Sequence, residues 1–245
     1  MSKICIVIPC YNEEDRLKVK SFSDFLSQYG SEYDILFVND GSIDNTIEVL
    51  KNIKSSFSNT CDILDLKINK GKGEAVREGI NHAYLSNKYS YIAFFDADLA
   101  TPLEEIFLLR KIAEENSALD MILCSRVKRL GANITRKLKR HLLGRVFATF
   151  ASQILNLAVY DTQCGAKLIK ASLAPQLFNT PFITSWLFDI EIIARIRNLN
   201  PSIIEKLLYE HPVTVWEDIG GSKLKLKHMI KVPWELFKIS RKYNK

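Results

Sequence analysis

The sequence has few cysteines and histidines, the residues that form disulfides in secreted proteins and bind zinc. Its 245 residues include five cysteines and four histidines, and their spacing fits neither a zinc site nor a redox pair. It has no apolar run long enough to span a bilayer, and Met1–Lys3 leads directly into a predicted strand without a signal peptide. These absences argue against a protein that spans a membrane or is stabilised by disulfides. They predict a cytosolic protein whose cysteine thiols are buried and reduced.

Acidic residues are nearly absent from two segments. Residues 126–145 hold eight Lys or Arg and no acid, and residues 222–245 hold eight with a single acid, Glu235. Together these segments carry a formal charge of +15, so the rest of the chain carries −9 and the net charge is +6. Basic clusters attract anionic lipid head groups, phosphates or nucleic acid, whereas solvated helix faces usually carry both signs. The segregation therefore favours an anionic partner.

Short apolar runs alternate with helical patterns in the first half of the chain. This alternation predicts an α/β fold with a mostly parallel sheet covered by helices on both faces. The predicted strands are Ile4–Ile8, Ile35–Val38, Ile63–Lys67, Tyr91–Phe95 and Met121–Cys124, and the predicted helices lie near 14–29, 44–57, 72–86 and 103–116. The last helix is expected to open with a capping box at Thr101–Glu104.

The second half has a different pattern. Residues 137–159 carry an apolar stripe at helical spacing. The tail from Leu224 to Ile239 mixes lysines with bulky apolar residues, as interfacial segments do. No repeat, low-complexity linker or domain boundary is present, so a single domain is expected.

Two carboxylates follow the fourth predicted strand. Asp96 and Asp98 come directly after the apolar run Tyr91–Phe95, and open α/β sheets bind ligands at the carboxyl ends of their strands. A hard divalent cation that bridges two phosphates takes one or two carboxylate oxygens and otherwise keeps water or substrate oxygens. The pair supplies that arrangement, although an acidic pair after a strand is also often a helix cap or a solvated turn.

Six further motifs accompany this pair. They are, in order, Ile6–Glu14, Val38–Asp44, Asn69–Gly73, Cys124–Arg126, Asp161–Lys167 and Trp186–Glu191. Alone, Asp40–Asp44 is typical of a tight turn with a helix cap; beside the others, its first carboxylate is a candidate acceptor for a nucleotide base. The glycines of Lys70–Gly73 precede a helix whose N-terminus suits a phosphate. From about Lys3 to Lys223, the set resembles the GT-A glycosyltransferases of family 2, in particular the dolichyl-phosphate glucosyltransferase and mannose synthase branch.

The resemblance implies a GT-A fold and a nucleotide-sugar donor. It places the donor against Pro9, Tyr11, Asn12, Glu13, Asp40, Gly41, Lys70, Gly71, Lys72, Asp96 and Ala97. It also implies that Asp98 coordinates Mg²⁺ or Mn²⁺ on the diphosphate of the donor. Related mannose synthases tend to carry Gln two places after the second Asp, where this chain has Ala100. A UDP-hexose is therefore favoured over GDP-mannose, with glucose as the expected hexose.

The resemblance further implies a phosphate acceptor. The phosphate-binding arginines of the polyprenyl-phosphate branch match Arg126 and Arg140. The candidate acceptor-phosphate residues are then Arg126, Arg136, Arg140, Gln163 and Lys223. A phosphate monoester is largely a dianion at neutral pH, so it needs cations to hold it in line rather than a general base.

Asp189 and Glu191 are the candidate general bases if the acceptor is a saccharide hydroxyl instead of a phosphate. A saccharide hydroxyl is a poor nucleophile and needs a general base, and Asp189 and Glu191 lie where many family 2 enzymes keep one. Asp189 also suits the N-cap of a helix over Ile190–Arg197. Lys167 and the region Trp216–Lys223 match family positions that line the site.

The predicted function is that of a metal-dependent, inverting glycosyltransferase. It would move a hexose from a nucleotide sugar to a polyprenyl (dolichyl or undecaprenyl) phosphate, docked by its basic segments on the anionic cytoplasmic face of a membrane, with no nucleic-acid partner. Residues 1–125 would bind the donor, 126–223 the acceptor and 224–245 the membrane surface. The alternatives are a saccharide-hydroxyl acceptor in surface polysaccharide assembly, a nucleotidylyltransferase, or a non-enzymatic nucleotide-binding module.

Overall fold

The computed structural model describes residues 3–135, 138–219 and 226–243, and a seven-stranded sheet forms its centre. The strand order is β3-β2-β1-β4-β7-β5-β8. These strands are β1 (Lys3–Cys10), β2 (Tyr33–Asp40), β3 (Cys61–Leu66), β4 (Tyr89–Phe95), β5 (Met121–Ser125), β7 (Ala166–Lys170) and β8 (Leu208–Pro212). Strand β7 runs antiparallel to β4 and β5, and the other neighbours pair in parallel. The prediction of a mostly parallel sheet is confirmed.

Helices cover both faces of this sheet. They are α1 (Val19–Tyr29), α2 (Thr46–Ser56), α3 (Lys72–Leu85), α4 (Glu105–Glu115), α5 (Leu138–Leu155), α6 (Ala174–Leu177), α7 (Phe188–Leu199), α8 (Ile204–Leu207) and α9 (Leu226–Tyr243). Buried residues of α1, α2 and α4 form one core, and those of α3, α5, α7 and α9 form the other. Successive residues of β1 alternate between these cores, Ile4 facing the first and Cys5 the second, because strand side chains point to opposite faces in turn.

The register of the strands brings the predicted motifs to one edge of the sheet. Cys10 at the end of β1 pairs with Asn39 at the end of β2, and Phe95 at the end of β4 pairs with Ala166 at the start of β7. The loops that leave β1, β2 and β4 therefore lie at the same edge of the sheet as residues 161–165, which lead into β7. This edge carries the cleft described below.

A two-stranded sheet and the last helix complete the fold. Strand β6 (Asn133–Thr135) pairs in parallel with β9 (Val215–Glu217), and α9 packs against α5 and α7. None of the helices, within the residues that the structure describes, has the length and apolar character needed to cross a bilayer. All five cysteines are buried and free, as predicted.

Two predicted helix starts differ from the structure. Helix α1 begins at Val19 rather than near residue 14, because Glu13 O accepts the amides of Arg16 and Leu17 in a turn before the helix. Helix α4 begins at Glu105 without a side-chain cap, so the predicted capping box is wrong. The Thr101 hydroxyl, the predicted cap, lies 3.7 Å from Cys164 Sγ instead. The next residue after the predicted box, Glu105, accepts hydrogen bonds from the amide and the hydroxyl of Thr214.

Candidate active site

A cleft of about 1440 Å³ lies at the carboxyl edge of the sheet. Most of the residues predicted to bind substrates line it: Pro9, Tyr11, Asn12, Glu13, Asp40, Gly71, Lys72, Asp96, Ala97, Asp98, Arg126, Gln163 and Asp189. Candidates Arg136 and Lys223 lie outside the described residues, and Arg140 lies in α5 at a position where the backbone alone is described. The cleft thus joins the residues predicted for the donor with some of those predicted for the acceptor.

The Asp40 carboxylate anchors the turn that begins α3. It is 2% exposed and accepts the amides of Lys70 and Gly71 at 2.8 and 2.9 Å. Burial raises the pKa of Asp40, and these two hydrogen bonds offset part of that effect. Gly41 has a φ of +62°, and a Cβ there would lie 2.4 Å from the Asn69 amide nitrogen, so only glycine fits. Gly41 and Lys70 were predicted to contact the donor, but they do not line the cleft; they shape its edge through their backbones.

The loops after β1 and β2 are joined by hydrogen bonds. Asn12 donates its amide to Ser42 Oγ at 3.0 Å and accepts the Ile43 amide at 2.9 Å through Oδ1. The Glu13 amide donates to Thr46 Oγ1 at 2.8 Å. These bonds hold Tyr11 and Asn12 at the wall of the cleft, where the sequence predicts contact with the nucleoside.

Charges of both signs meet around the two aspartates after β4. Lys72 Nζ lies 2.5 Å from Asp96 Oδ1, and Arg16 Nη2 lies 3.9 Å from Asp98 Oδ2. Burial acts to lower the pKa of Lys72, but the carboxylates of Asp96 and Asp189 outweigh it and raise the pKa. Burial and the Asp96 charge raise the pKa of Asp98. Arg16 was not among the predicted residues, because nothing in its spacing shows that the chain returns to Asp98.

The acidic groups of the cleft fit a cation shared with a ligand. Among the described residues, no group of three or more His, Cys, Asp or Glu side chains converges as a protein-only metal site would. Asp98 is 27% exposed and lines the cleft beside Asp96. Mg²⁺ typically takes one or two carboxylates and completes its coordination with water and substrate phosphates. The donor set therefore suits a cation that arrives with a diphosphate.

Arg126 is held by a neighbouring carboxylate. Its Nε and Nη2 donate to the two oxygens of Asp161 at 2.6 and 2.7 Å, and its guanidinium lies 5.3 Å from the centre of the Trp216 ring. Two polar atoms beside it, Thr162 Oγ1 and Gln163 Nε2, are buried and have no hydrogen-bond partner in the described part of the chain. Both residues line the cleft, and buried polar groups generally have a hydrogen-bond partner, so a ligand or water in the cleft is expected to supply one.

The predicted acidic pair is divided between two environments. Asp189 lines the cleft, whereas Glu191 is fully buried outside it and bonds with Arg195, the Tyr243 hydroxyl and the Ile183 amide. Helix α7 begins at Phe188 with Leu187 as its N-cap, so the prediction that Asp189 caps the helix is wrong. Lys167 was predicted to line the site, but its side chain is fully buried behind Asp189.

An apolar extension of the cleft runs between α5 and α9. It is lined by Phe147, Phe150, Ile154, Val232, Leu236 and Phe237. Phe150 and Phe237 are each more than half exposed, so this wall opens to solvent. The apolar stripe of α5 was predicted, but its meeting with α9 was not, because the sequence does not show how the two helices pack.

Solved structures with this fold are GT-A glycosyltransferases. One is a glucosyl-3-phosphoglycerate synthase from Mycobacterium tuberculosis, crystallised with Mn²⁺, UDP-glucose and phosphoglyceric acid. It superposes with a TM-score of 0.69 at 15% identity, covering 98% of this chain and 80% of its own. The same enzyme in complex with UDP gives a TM-score of 0.67 at 16% identity, with the same coverage of both chains. The chain therefore has the GT-A fold.

Sequence comparison gives the family. The profile of glycosyl transferase family 2 matches residues 5–178. A dolichyl-phosphate beta-glucosyltransferase from Dictyostelium discoideum is 30% identical over 90% of this chain and 68% of its own length. The enzyme of that name from Saccharomyces cerevisiae is 30% identical over 91% of this chain and 69% of its own. The protein belongs to glycosyl transferase family 2 and is a glycosyltransferase.

Gly165 provides a first test of the cleft geometry. Its carbonyl accepts the Asp96 amide, and a Cβ at this position would lie 2.1 Å from Asp96 Oδ2. Gly165→Ala should displace the Asp96 carboxylate and weaken nucleotide-sugar binding by about tenfold or more, since overpacking costs about 1–3 kcal/mol. Calorimetric titration with UDP-glucose measures this loss, with the melting temperature as the control for folding. Unchanged affinity in a folded variant would show that Asp96 does not contact the donor.

Proposed function

We propose that this protein transfers a hexose, with glucose favoured, from a UDP-sugar to a polyprenyl phosphate at the cytoplasmic surface of a membrane, with inversion at the anomeric carbon. The observation that carries the proposal is the form of the cleft. Its lining combines the charged residues Asp96, Asp98, Lys72 and Arg126 with apolar residues of α5 and α9. The charged part suits the donor and an acceptor phosphate, and the apolar part suits the hydrocarbon tail of a lipid acceptor. The similarity to dolichyl-phosphate beta-glucosyltransferases supports the same acceptor.

The donor end suits a nucleoside diphosphate. At the start of α3 the amides of Lys70 and Gly71 donate to Asp40, and the Gly73 amide donates to the Ser185 carbonyl. The donor diphosphate would therefore meet the side chain of Lys72, which lines the cleft, rather than these amides. Asp98 would hold Mg²⁺ or Mn²⁺, which when bound supplies Lewis-acid stabilisation of the leaving diphosphate. Lys72 and Arg16 are the described cations nearest to the two aspartates, so they are placed to balance the negative charge of the donor.

The acceptor end suits an anion. Arg126 uses Nε and Nη2 to bind Asp161, so its Nη1 hydrogens are not part of that pair. Together with Gln163 Nε2 and Thr162 Oγ1 they offer donors to the acceptor phosphate. Arg136, Arg140 and Lys223 remain proposed phosphate-binding residues by resemblance. A phosphate oxygen attacks the anomeric carbon, the bond to the diphosphate oxygen breaks, and UDP leaves with those electrons.

A panel of substrates tests the function. The purified protein is incubated with UDP-glucose, UDP-N-acetylglucosamine or GDP-mannose, Mg²⁺ or Mn²⁺, and dolichyl or undecaprenyl phosphate. We expect a glucosyl phosphoryl lipid from UDP-glucose alone, with the β anomer identified by NMR. Turnover of GDP-mannose at an equal rate would contradict the proposed donor, and failure with every lipid phosphate would contradict the acceptor.

A saccharide hydroxyl is the second candidate acceptor, because Asp189 lies buried at the wall of the cleft. Burial raises the pKa of Asp189, as suits a general base. With a phosphate acceptor, Asp189→Asn should slow transfer by less than about a hundredfold, because general-base catalysis typically contributes ~10²–10⁴-fold. The measurement is kcat across pH for the variant and the native protein. A loss of kcat larger than about a hundredfold, together with disappearance of the acidic limb of the pH–rate profile in Asp189→Asn, would favour the hydroxyl acceptor.

Exposed aromatic side chains on α9 predict docking at a membrane surface. Trp234 and Phe237 are 60% and 53% exposed and stack with their ring centres 5.6 Å apart. Lys231, Lys238 and Arg241 are exposed on the same helix. A surface with aromatic rings among cations matches an anionic lipid interface.

Removing both rings should weaken that docking. The double variant Trp234→Ala, Phe237→Ala should bind anionic liposomes at least about tenfold less tightly, because each buried ring contributes roughly 1.5–3 kcal/mol. Flotation with anionic and neutral vesicles at two salt concentrations measures the effect. The matched control is Leu85→Ala, which removes a 74% exposed side chain at the end of α3 remote from the cleft. Equal binding of native protein to both vesicle types would contradict an electrostatic contribution.

A further inference from the structure

A lysine lies fully buried behind the wall of the cleft. The side chain of Lys167 is 0% exposed, and its Nζ lies 2.7 Å from Asp189 Oδ1. The same Nζ donates to the Cys164 carbonyl at 2.5 Å and lies 5.2 Å from the centre of the Phe94 ring. Lysine is almost never fully buried unless it is paired. The carboxylate that pairs with it belongs to a residue that lines the cleft.

The position of Lys167 in the sheet makes its charge costly. It lies on the central strand β7, paired across the sheet with Phe94 and Leu123. Its neighbours Ala166 and Leu168 are buried and apolar, as central strands generally are. Replacing a buried ion pair by well-packed apolar residues is often neutral or stabilising. The pair is therefore weak evidence for stability, and its contact with the cleft suggests a role in the reaction.

Lys167 is the principal cation acting on Asp189. Burial raises the pKa of Asp189; Lys167 and then Lys72 lower it, and the Asp96 charge raises it. Lys72 is itself bound to Asp96 at 2.5 Å and lines the part of the cleft where a donor diphosphate would lie. These are the charged groups that face Asp189 from β7, α3 and the loop after β4.

We propose that Lys167 is a positioning residue that keeps Asp189 ionised and holds its carboxylate at the wall of the cleft. Both roles open to Asp189, a general base and a hydrogen-bond acceptor for a sugar hydroxyl, require the ionised form. The inference deepens the proposed function and rests on it, because it assigns to Lys167 the control of an acidic group beside the transferred hexose. A merely structural role would fasten β7 to α7 without affecting the ionisation of Asp189.

Carbon NMR of the unliganded protein tests the ionisation directly. Protein labelled with ¹³C at the aspartate carboxyl carbons is titrated with acid, and the Asp189 signal is assigned by its loss in Asp189→Asn. In Lys167→Met, the midpoint of that signal should move up by about one pH unit or more, because an opposite charge in contact is removed. Lys170→Met is the matched control: it lies on the same strand and pairs with Asp120 at 3.0 Å. An unmoved midpoint in Lys167→Met would overturn the proposal.

Kinetics tests whether Lys167 acts through Asp189. Lys167→Met should lower kcat by about tenfold and move the acidic limb of the pH–rate profile upward. In a background of Asp189→Asn, the same substitution should cost less than about twofold, since residues that share one function are not additive. Lys170→Met should leave the rate and the limb unchanged. Losses that multiply in the double variant would show that Lys167 acts independently of Asp189, and would overturn the inference.

The two tests separate failure of the inference from failure of the proposed function. The NMR titration needs no substrate, so it decides the role of Lys167 even if polyprenyl phosphate is not the acceptor. If Lys167→Met does not fold, we use the double variant Lys167→Met, Asp189→Asn, which removes both charges of the Lys167–Asp189 pair and so leaves neither of them unpaired. A fold restored in the double variant would confirm that the two charges depend on each other, and absence of rescue would favour a packing role and overturn the inference.

Discussion

Asp98→Asn is expected to reduce kcat/KM for sugar transfer by about a thousandfold. The substitution keeps the shape of the side chain but removes the charge that would help to hold a divalent cation on the donor diphosphate. Charge stabilisation by such a cation contributes several kcal/mol, and each ~1.4 kcal/mol corresponds to a factor of ten. Initial rates over a range of Mn²⁺ and Mg²⁺ concentrations measure both the loss and the altered metal requirement.

Asp96→Asn is the matched comparison, because this carboxylate lies two residues away in the same cleft. It contacts Lys72, so its loss should mainly raise the KM for the donor and leave the metal requirement unchanged. Near-normal turnover of Asp98→Asn with unaltered Mn²⁺ dependence would contradict the metal assignment.

Glu191→Ala is expected to destabilise the fold by roughly 3–5 kcal/mol, as removal of one partner of a buried ion pair generally does. Glu191 is fully buried and pairs with Arg195 at 2.8 Å. Its carboxylate also accepts the Tyr243 hydroxyl and the Ile183 amide, so truncation leaves the buried Arg195 guanidinium and two half-buried donors without this acceptor. For a chain of this size the melting temperature should fall by about 10 °C, which calorimetry measures.

A surface pair of the same helical spacing provides the control. Glu115 lies 3.8 Å from Lys111, and its side chain is 65% exposed, so Glu115→Ala should change stability by only a few tenths of a kcal/mol. We expect kcat of folded Glu191→Ala, measured well below its melting temperature, to remain close to that of the native protein. A native melting temperature together with a large loss of kcat would restore Glu191 as a candidate base.

Local sequence predicted the strands whose apolar runs are uninterrupted. Strands β1, β2, β4 and β5 were placed within a few residues, because strands buried on both faces have a nearly continuous apolar sequence. Strand β7 was not predicted as a strand. Lys167 interrupts its apolar run, and the carboxylate that pairs with this charge belongs to Asp189, which is 22 residues away in the sequence.

The sequence predicted which residues line the cleft better than it predicted which of their side chains contact one another. The acidic pair after β4 and the turn at Lys70–Gly73 lie at strand ends, and parallel strands bring their carboxyl ends to one edge. The contacts of Arg126 with Asp161 and of Glu191 with Arg195 depend on how the second half of the chain packs. Helical spacing predicts that only one of Asp189 and Glu191, two residues apart, faces the cleft, but no periodicity in the sequence shows which one.

The main chain of Ala100 connects Asp98 with the strand that packs over Arg126. Its amide donates to Asp98 Oδ1 at 3.0 Å, and its carbonyl accepts the amide of Glu217, the last residue of β9, at 3.1 Å. Trp216 in the same strand packs over the guanidinium of Arg126. An acceptor that shifts Arg126 and β9 would therefore act on the backbone of one residue, Ala100, whose amide is bonded to Asp98. If each substrate changes the affinity for the other through this contact, thermodynamic linkage requires the same factor in both directions.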